Sequence, residues 1–355
     1  MNFIFNRQRI TGVLAIIPKK CVRFEDEIDN YGFSREKCHS LQETIGLRER
    51  RVVKDGECGS DLALFGFEYL LGKRLLRKEE IGAIVVVTQS PDHFMPPTSC
   101  ILHGKLGLSW DVICFDINQG CTGYIYGLLQ AFMLVETFTE NQKVVVVNCD
   151  TLSRRTCHYD RNVNPMIGDA AAITIVEKAE DGDTIRINLN SDGSRGDWLM
   201  IPAGGFRMPS TEETRKIVEL PDGNRRSLDD FYMNGAGVFT FTQTDVAKSI
   251  SEFLRKTDRT VENIDYFLFH QPNRFMLEKL GKKLGIPPEK MPTNVVEKYG
   301  NSSGATIAVA MCHNIADVVS SSRISVCMAG FGSGLSWGTL TMSLGPLPFC
   351  ELIEK

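Results

Sequence analysis

Short, continuously apolar and β-branched runs punctuate the chain at residues 12–17 (GVLAII), 81–88 (IGAIVVVT), 143–148 (KVVVVN), 170–176 (AAAITIV), 266–270 (YFLFH) and 324–328 (ISVCM). They lack the in-and-out alternation of a half-exposed strand, so they predict strands buried on both faces of a sheet covered by helices. Helical spacing of apolar positions lies between them, at residues 61–75, 123–137, 245–256, 274–284 and 305–319. Strands alternating with helices predict an α/β fold.

The pattern also recurs at a spacing of about 180 residues, too long for a solenoid and suited to duplicated halves. EEIGAIVVVTQSPD (79–92), KLGL (105–108), FDINQGCTGYIYGLLQA (115–131) and KVVVVNCD (143–150) are answered by VENIDYFLFHQPN (261–273), KKLGI (282–286), TNVVEKYGNSSGATIAVAM (293–311) and RISVCMAG (323–330). Each half reads strand, helix, strand, small-residue turn, helix, strand. The organisation expected is a first half over 1–176, a connecting strand and cap-like excursion over 177–232, and a second half over 233–355. The excursion is polar and carries Gly and Pro, as a segment capping a pocket would.

With 355 residues, 43% apolar and 24% charged, the chain is an ordinary globular protein, neither collagenous nor disordered. Forty Lys plus Arg against forty-four Asp plus Glu give a net charge of -4, so no general attraction to nucleic acid or anionic membrane is expected. The eleven cysteines are scattered, with no C-x-x-C pair, so no metal site is expected and most should be reduced core residues of a cytoplasmic protein. The apolar run at 12–17 is closed by Pro18, too short for a secretion signal, and nothing approaches the roughly 18 residues of a membrane span.

Cys121 sits where a strand passes through small residues into a helix starting near Thr122 or Gly123. The helix dipole and the unpaired amides of a first turn favour thiolate over thiol, so the position suits a nucleophile. Glycines at 120 and 123 leave room for substrate and for amides serving as an oxyanion hole. His270 ends a strand and Asn301 lies in the turn that answers the Cys121 turn. Alone, each reads as a core histidine or a helix cap. Two halves packed about a pseudo-dyad would bring all three into one cavity. AGFGSGLSWG (329–338) lacks the phosphate-loop lysine and has no helix after it; a tight turn aiming the Ser333 amide at the site is the functional reading.

These segments together resemble the type III β-ketoacyl-acyl-carrier-protein synthases of the thiolase superfamily. GLRERRV (46–52), DINQGCTGYIYGL, IGDAAAITIV (167–176), FHQPN, YGNSSGAT and the closing GFGSGLSWG carry the likeness in order, over nearly the whole chain. The resemblance implies a five-layered αβαβα fold of two pseudo-symmetric halves. It implies Cys121 as acyl-accepting nucleophile, His270 and Asn301 as hydrogen-bond donors to a malonyl thioester, and the amides of Cys121 and Ser333 as the oxyanion hole. The reaction implied is decarboxylative Claisen condensation with malonyl-acyl-carrier protein, with no cofactor beyond the coenzyme A or carrier thioesters. Transfer of the acyl group from Cys121 to a hydroxyl or amine, with His270 as base, is the alternative.

Arg155, Met95 and Phe331 are implied as substrate or coenzyme A contacts, Met95 by insertion into the partner of a homodimer. Arg274, Lys279, Lys282 and Lys283 are implied as a docking face for acidic acyl carrier protein. Ser40 and Thr44 stand where the family has its adenine-clamping Trp and Arg, so a donor on acyl carrier protein is weighed beside acyl-coenzyme A.

Overall fold

The computed structural model describes residues 1–180 and 183–355. A six-stranded sheet runs in the order Cys350–Glu354, Gln8–Ile17, Ala170–Lys178, Lys143–Asp150, Ile81–Val87, Ile113–Ile117. A five-stranded sheet runs Asn2–Phe5, Ile185–Ser191, Ser336–Leu344, Ile324–Gly332, Tyr266–Phe269. All six apolar runs are strands of these two sheets, with Thr88 and His270 just beyond their strand ends.

Successive side chains of a strand point to opposite faces, so each buried strand feeds two cores. Val85 and Val146 face the centre of the molecule, where they pack with Leu128 and Phe132 of helix Gly123–Thr137, with Ile307 and Met311 of helix Thr306–Asn314, and with Met328 and Leu340 of the second sheet. Ile84 and Val145 face outward against Leu62 and Phe67 of helix Gly59–Gly72 and Leu102 of helix Thr98–Leu106. On the far side, Phe267 and Cys327 pack against Ile250 of helix Ala247–Lys256 and Leu277 of helix Arg274–Leu284. The result is the expected α/β/α/β/α stack. Each large side chain buried in these layers contributes roughly 1.5–3 kcal/mol.

The two halves differ in three ways from the repeat. Residues expected as a strand before Asn301 form the short helix Val295–Tyr299. Val295, Val296 and Tyr299 are its buried positions, a helical spacing, and Gly300 ends it at φ +77, a conformation that a side chain disfavours. Tyr266–Phe269 is consequently the edge of its sheet, whereas Ile81–Val87 is flanked by Ile113–Ile117. The helix expected over 305–319 is broken at Ile315 into Thr306–Asn314 and Ala316–Ser321. Sheet membership also ignores the chain limits of the halves: Asn2–Phe5 and Ile185–Ser191 pair in the second sheet, and Cys350–Glu354 pairs with Gln8–Ile17 in the first. No described helix is long and apolar enough to cross a membrane.

Candidate active site

Strand Ile113–Ile117 lies parallel to Ile81–Val87, with Ile117 beside Val87, and delivers the chain to a turn at the sheet's carboxyl end. Gly123 N donates to Gly120 O at 2.7 Å, closing that turn as Thr122 caps helix Gly123–Thr137. The Thr122 hydroxyl donates to Ser336 O at 2.9 Å, tying the turn to the second sheet. Cys121 is thereby clamped against the hairpin between Ile324–Gly332 and Ser336–Leu344. A Cβ on Gly332 would stand 2.6 Å from Cys121 Cβ and 3.1 Å from its Sγ, so only glycine permits this approach. Among the described residues, neither the Cys121 nor the Ser333 amide donates to a protein oxygen. Free amides beside the thiol are what a developing oxyanion needs.

His270 continues the edge strand; its amide donates to Ala329 O at 2.8 Å and the residue is 2% exposed. Thr306 Oγ1 donates to Ser303 O at 2.9 Å, so it receives the proton of His270 Nδ1, 2.7 Å away, and also faces Gln271 N at 3.3 Å. With the Thr306 hydrogen directed to Ser303 O, the ring hydrogen sits on Nδ1 and the lone pair on Nε2. Burial pushes the imidazole down to about 3, so the ring is neutral, and Phe331 packs edge-on against it at 5.6 Å.

Asn301 is stitched to the first half: its amide donates to Met166 O at 2.6 Å and its carbonyl accepts from Gly168 N at 3.1 Å. Its side-chain Oδ1 accepts from Ser303 N at 2.9 Å, leaving Nδ2 as the free donor. Ser303 takes a left-handed φ of +55 to make that turn, a conformation costing roughly 1 kcal/mol outside glycine.

Cys121, His270, Asn301, Ser333 and Phe331 line one cavity of about 240 Å³. Much of its lining is apolar, from Leu199, Met200 and Phe231 of the excursion, Met233 and Met276 of the second half, and Leu152 and Met166 of the first. Burial pushes the Cys121 thiol up to about 12, and the Asp150 carboxylate acts in the same direction. The helix start at Thr122 is where the sequence puts it, but its pull toward thiolate is outweighed by desolvation, and the resting nucleophile is a thiol. Asp150, itself raised to about 6 by burial, accepts from Thr88 Oγ1, Gln89 N and Ser90 Oγ at 3.1, 2.8 and 3.0 Å.

The remaining sequence candidates lie outside this cavity. Arg155 is exposed beside the excursion, 3.9 Å from Asp229, and its carbonyl accepts from Phe231 N. Met95 is 80% exposed and does not line its own chain's cavity. Arg274 is bound inward, to Glu297 at 3.3 Å and to Glu43 O, whereas Lys279, Lys282 and Lys283 are exposed on the same helix. Ser40 and Thr44 lie on helix Arg35–Ile45, and the Thr44 hydroxyl is taken by Ser40 O at 2.8 Å. Sequence reading missed Thr306, which the quoted YGNSSGAT segment contains, and the cavity residues Asn118, inside the quoted DINQGCTGYIYGL, and Gln89, inside the quoted EEIGAIVVVTQSPD, neither of which was given a role.

Family models described as 3-oxoacyl-[acyl-carrier-protein] synthase III and its C-terminal part match residues 115–193 and 254–344. The chain is 35% identical over 297 residues to a β-ketoacyl-[acyl-carrier-protein] synthase III of Clostridium perfringens, covering 83% of this chain and 88% of that one. The solved 3-oxoacyl-(acyl-carrier protein) synthase of Burkholderia xenovorans LB400 superposes with a TM-score of 0.91 at 30% identity, covering 100% and 99% of the two chains. The β-ketoacyl-[acyl-carrier-protein] synthase III of Thermus thermophilus gives 0.79 at 29% identity, over 95% and 99%.

Proposed function

The chain belongs to the 3-oxoacyl-[acyl-carrier-protein] synthase III family, and on that premise we propose that it condenses an acyl thioester with malonyl-acyl-carrier protein through an acyl-Cys121 intermediate. The observation carrying this reading is the convergence of Cys121, His270 and Asn301 on one apolar cavity beside two unpaired amides.

In the first half-reaction the Cys121 sulfur attacks the thioester carbonyl. Its proton passes through the lone pair of His270 Nε2 to the departing carrier thiol, and the Cys121 and Ser333 amides hold the tetrahedral oxyanion. A neutral histidine with a free Nε2 suits this transfer, because the nucleophile starts as a thiol. In the second, Asn301 Nδ2 donates to the malonyl thioester carbonyl as carbon dioxide leaves and an enolate forms. One proton taken up from solvent, favoured by the substrate's negative charge, converts His270 to the imidazolium, which then also donates to the enolate. The enolate carbon attacks acyl-Cys121, the 3-oxoacyl thioester departs, and the His270 proton returns to the sulfur. No step calls for a metal or redox cofactor.

Acyl carrier protein is the favoured carrier for both substrates. Ser40 and Thr44 offer no aromatic or cationic clamp for an adenine, while Lys279, Lys282 and Lys283 present an exposed basic face to an acidic partner. A homodimer with Met95 reaching its partner is part of the same reading. The second reading, acyl transfer to a hydroxyl or amine, draws on one observation: the resting Nε2 lone pair is that of a general base. Supplying the acylated enzyme with malonyl-carrier protein and measuring carbon dioxide separates the two. Stoichiometric release with 3-oxoacyl product supports condensation; discharge only by an alcohol or amine, with no carbon dioxide, supports transfer.

A further inference from the structure

Every segment supplies hydrocarbon to the cavity, Leu152 and Met166 from the first half among it, but Gln89 and Asn118 are the carboxamides that the first half adds to the lining beside the nucleophile. Gln89 and Asn118 follow the ends of neighbouring parallel strands, Ile81–Val87 and Ile113–Ile117, whose last residues pair, and both side chains line the cavity with Cys121. Gln89 is aimed there by its surroundings. Its backbone amide is held by buried Asp150 at 2.8 Å, its Nε2 donates to Ser333 Oγ at 3.4 Å, and its Oε1 packs against Gly120. Among the described residues, Gln89 Oε1 and the Asn118 amide have no protein hydrogen-bond partner.

A plain alkyl chain seated against these groups would strip them of water and return nothing, most of all at half-buried Gln89, Asn118 being exposed. A charged acyl group fits no better, since no Asp, Glu, Lys or Arg is among the cavity-lining residues described. A hydroxyl both donates and accepts, matching a carboxamide that offers Oε1 and a second Nε2 hydrogen.

We infer that the acyl group taken up by Cys121 carries a neutral hydrogen-bonding substituent, a hydroxyl, within a few atoms of its thioester carbonyl, and that Gln89 and Asn118 read it. This rests on the acyl-Cys121 reading. The bonds exchanged are those of any acylation: the Cys121 sulfur–acyl bond forms, the carrier sulfur–acyl bond breaks, and the thiol proton ends on the carrier sulfur. The hydroxyl is not consumed. A site built to hydrogen-bond a substrate group rejects the analogue lacking it far more strongly than an apolar pocket rejects an added hydroxyl.

The test is a competition on the unaltered enzyme. Equimolar butanoyl and 2-, 3- or 4-hydroxybutanoyl thioesters are offered, on coenzyme A in one arm and on acyl carrier protein in the other, and the Cys121 adducts are resolved by intact mass at early times. The expected result is at least a tenfold preference for one hydroxylated chain over butanoyl, falling toward unity in Gln89→Met and in Asn118→Val. Adducts from butanoyl at equal or greater rate than from every hydroxylated chain would overturn the inference while leaving the acyl-Cys121 reading intact. Absence of any Cys121 adduct from all donors would overturn both.

Discussion

The Thr306 hydroxyl and His270 Nδ1 lie 2.7 Å apart, and with that hydroxyl donating to Ser303 O the contact places the ring hydrogen on Nδ1 and the lone pair on Nε2. Thr306 is a positioning residue, acting through His270. Thr306→Val keeps the volume but orphans His270 Nδ1, Gln271 N and Ser303 O, each costing roughly 1–3 kcal/mol if left unpaired. We expect condensation to fall at least tenfold in kcat and the pH–rate profile to shift, with Thr306→Ser restoring both. A valine variant of native rate and profile would show that the tautomer does not matter.

Gly332→Ala should block the nucleophile directly. The added methyl would stand 2.6 Å from Cys121 Cβ, so the turn or the hairpin must move, at about 1–3 kcal/mol. The expected outcome is a melting temperature lowered by a few degrees and Cys121 acylation slowed at least tenfold, read by intact mass.

The thiol of Cys121, raised to about 12, predicts iodoacetamide alkylation that keeps accelerating from pH 7 to pH 10. A preformed thiolate–imidazolium pair would instead give a plateau across that range. Since the Asp150 charge raises the thiol further, Asp150→Asn should speed alkylation several-fold at pH 8, monitored against a Cys121→Ala control.

How much of this was readable in the residues differs by element. The buried strands announced themselves because two-sided burial demands uninterrupted apolar runs, and Cys121, His270 and Asn301 were located because the repeat sets corresponding turns face to face. The helix at Val295–Tyr299 was misread as a strand because VVEKY is too short for periodicity to discriminate, and its fate was settled by the buried face it presents. The helix start behind Cys121 is local and visible in the sequence, whereas the desolvation that pushes its thiol up arises only on folding. Thr306 and Gln89 acquire meaning only through partners, Ser303, Ser333 and Asp150, which folding brings together.

Acid stability offers a further check on His270. Its folded pKa, about 3, lies below the ordinary 6.5, so the unfolded chain binds its proton first and stability is lost as pH falls below 6.5. The loss from this group is about 2 kcal/mol by pH 5. Asp150, raised to about 6, works in the opposite sense, adding stability as pH falls from 6 toward 3.8, so the net curve is shallow. Comparing denaturant midpoints of the native enzyme and His270→Gln between pH 7 and pH 5 isolates the histidine contribution. The native protein should lose more than the variant by that amount; parallel curves would contradict a buried neutral His270.

The central claim is that Cys121 carries the acyl group into a decarboxylating carbon–carbon bond formation. Intact-mass spectrometry of the enzyme after an acyl thioester, then after malonyl-acyl-carrier protein with carbon dioxide collected, tests it most directly. The account predicts a Cys121-dependent adduct that disappears with one equivalent of carbon dioxide and one of 3-oxoacyl-carrier product, and no adduct in Cys121→Ala. An adduct that survives malonyl-carrier protein, or one that forms without Cys121, would contradict it.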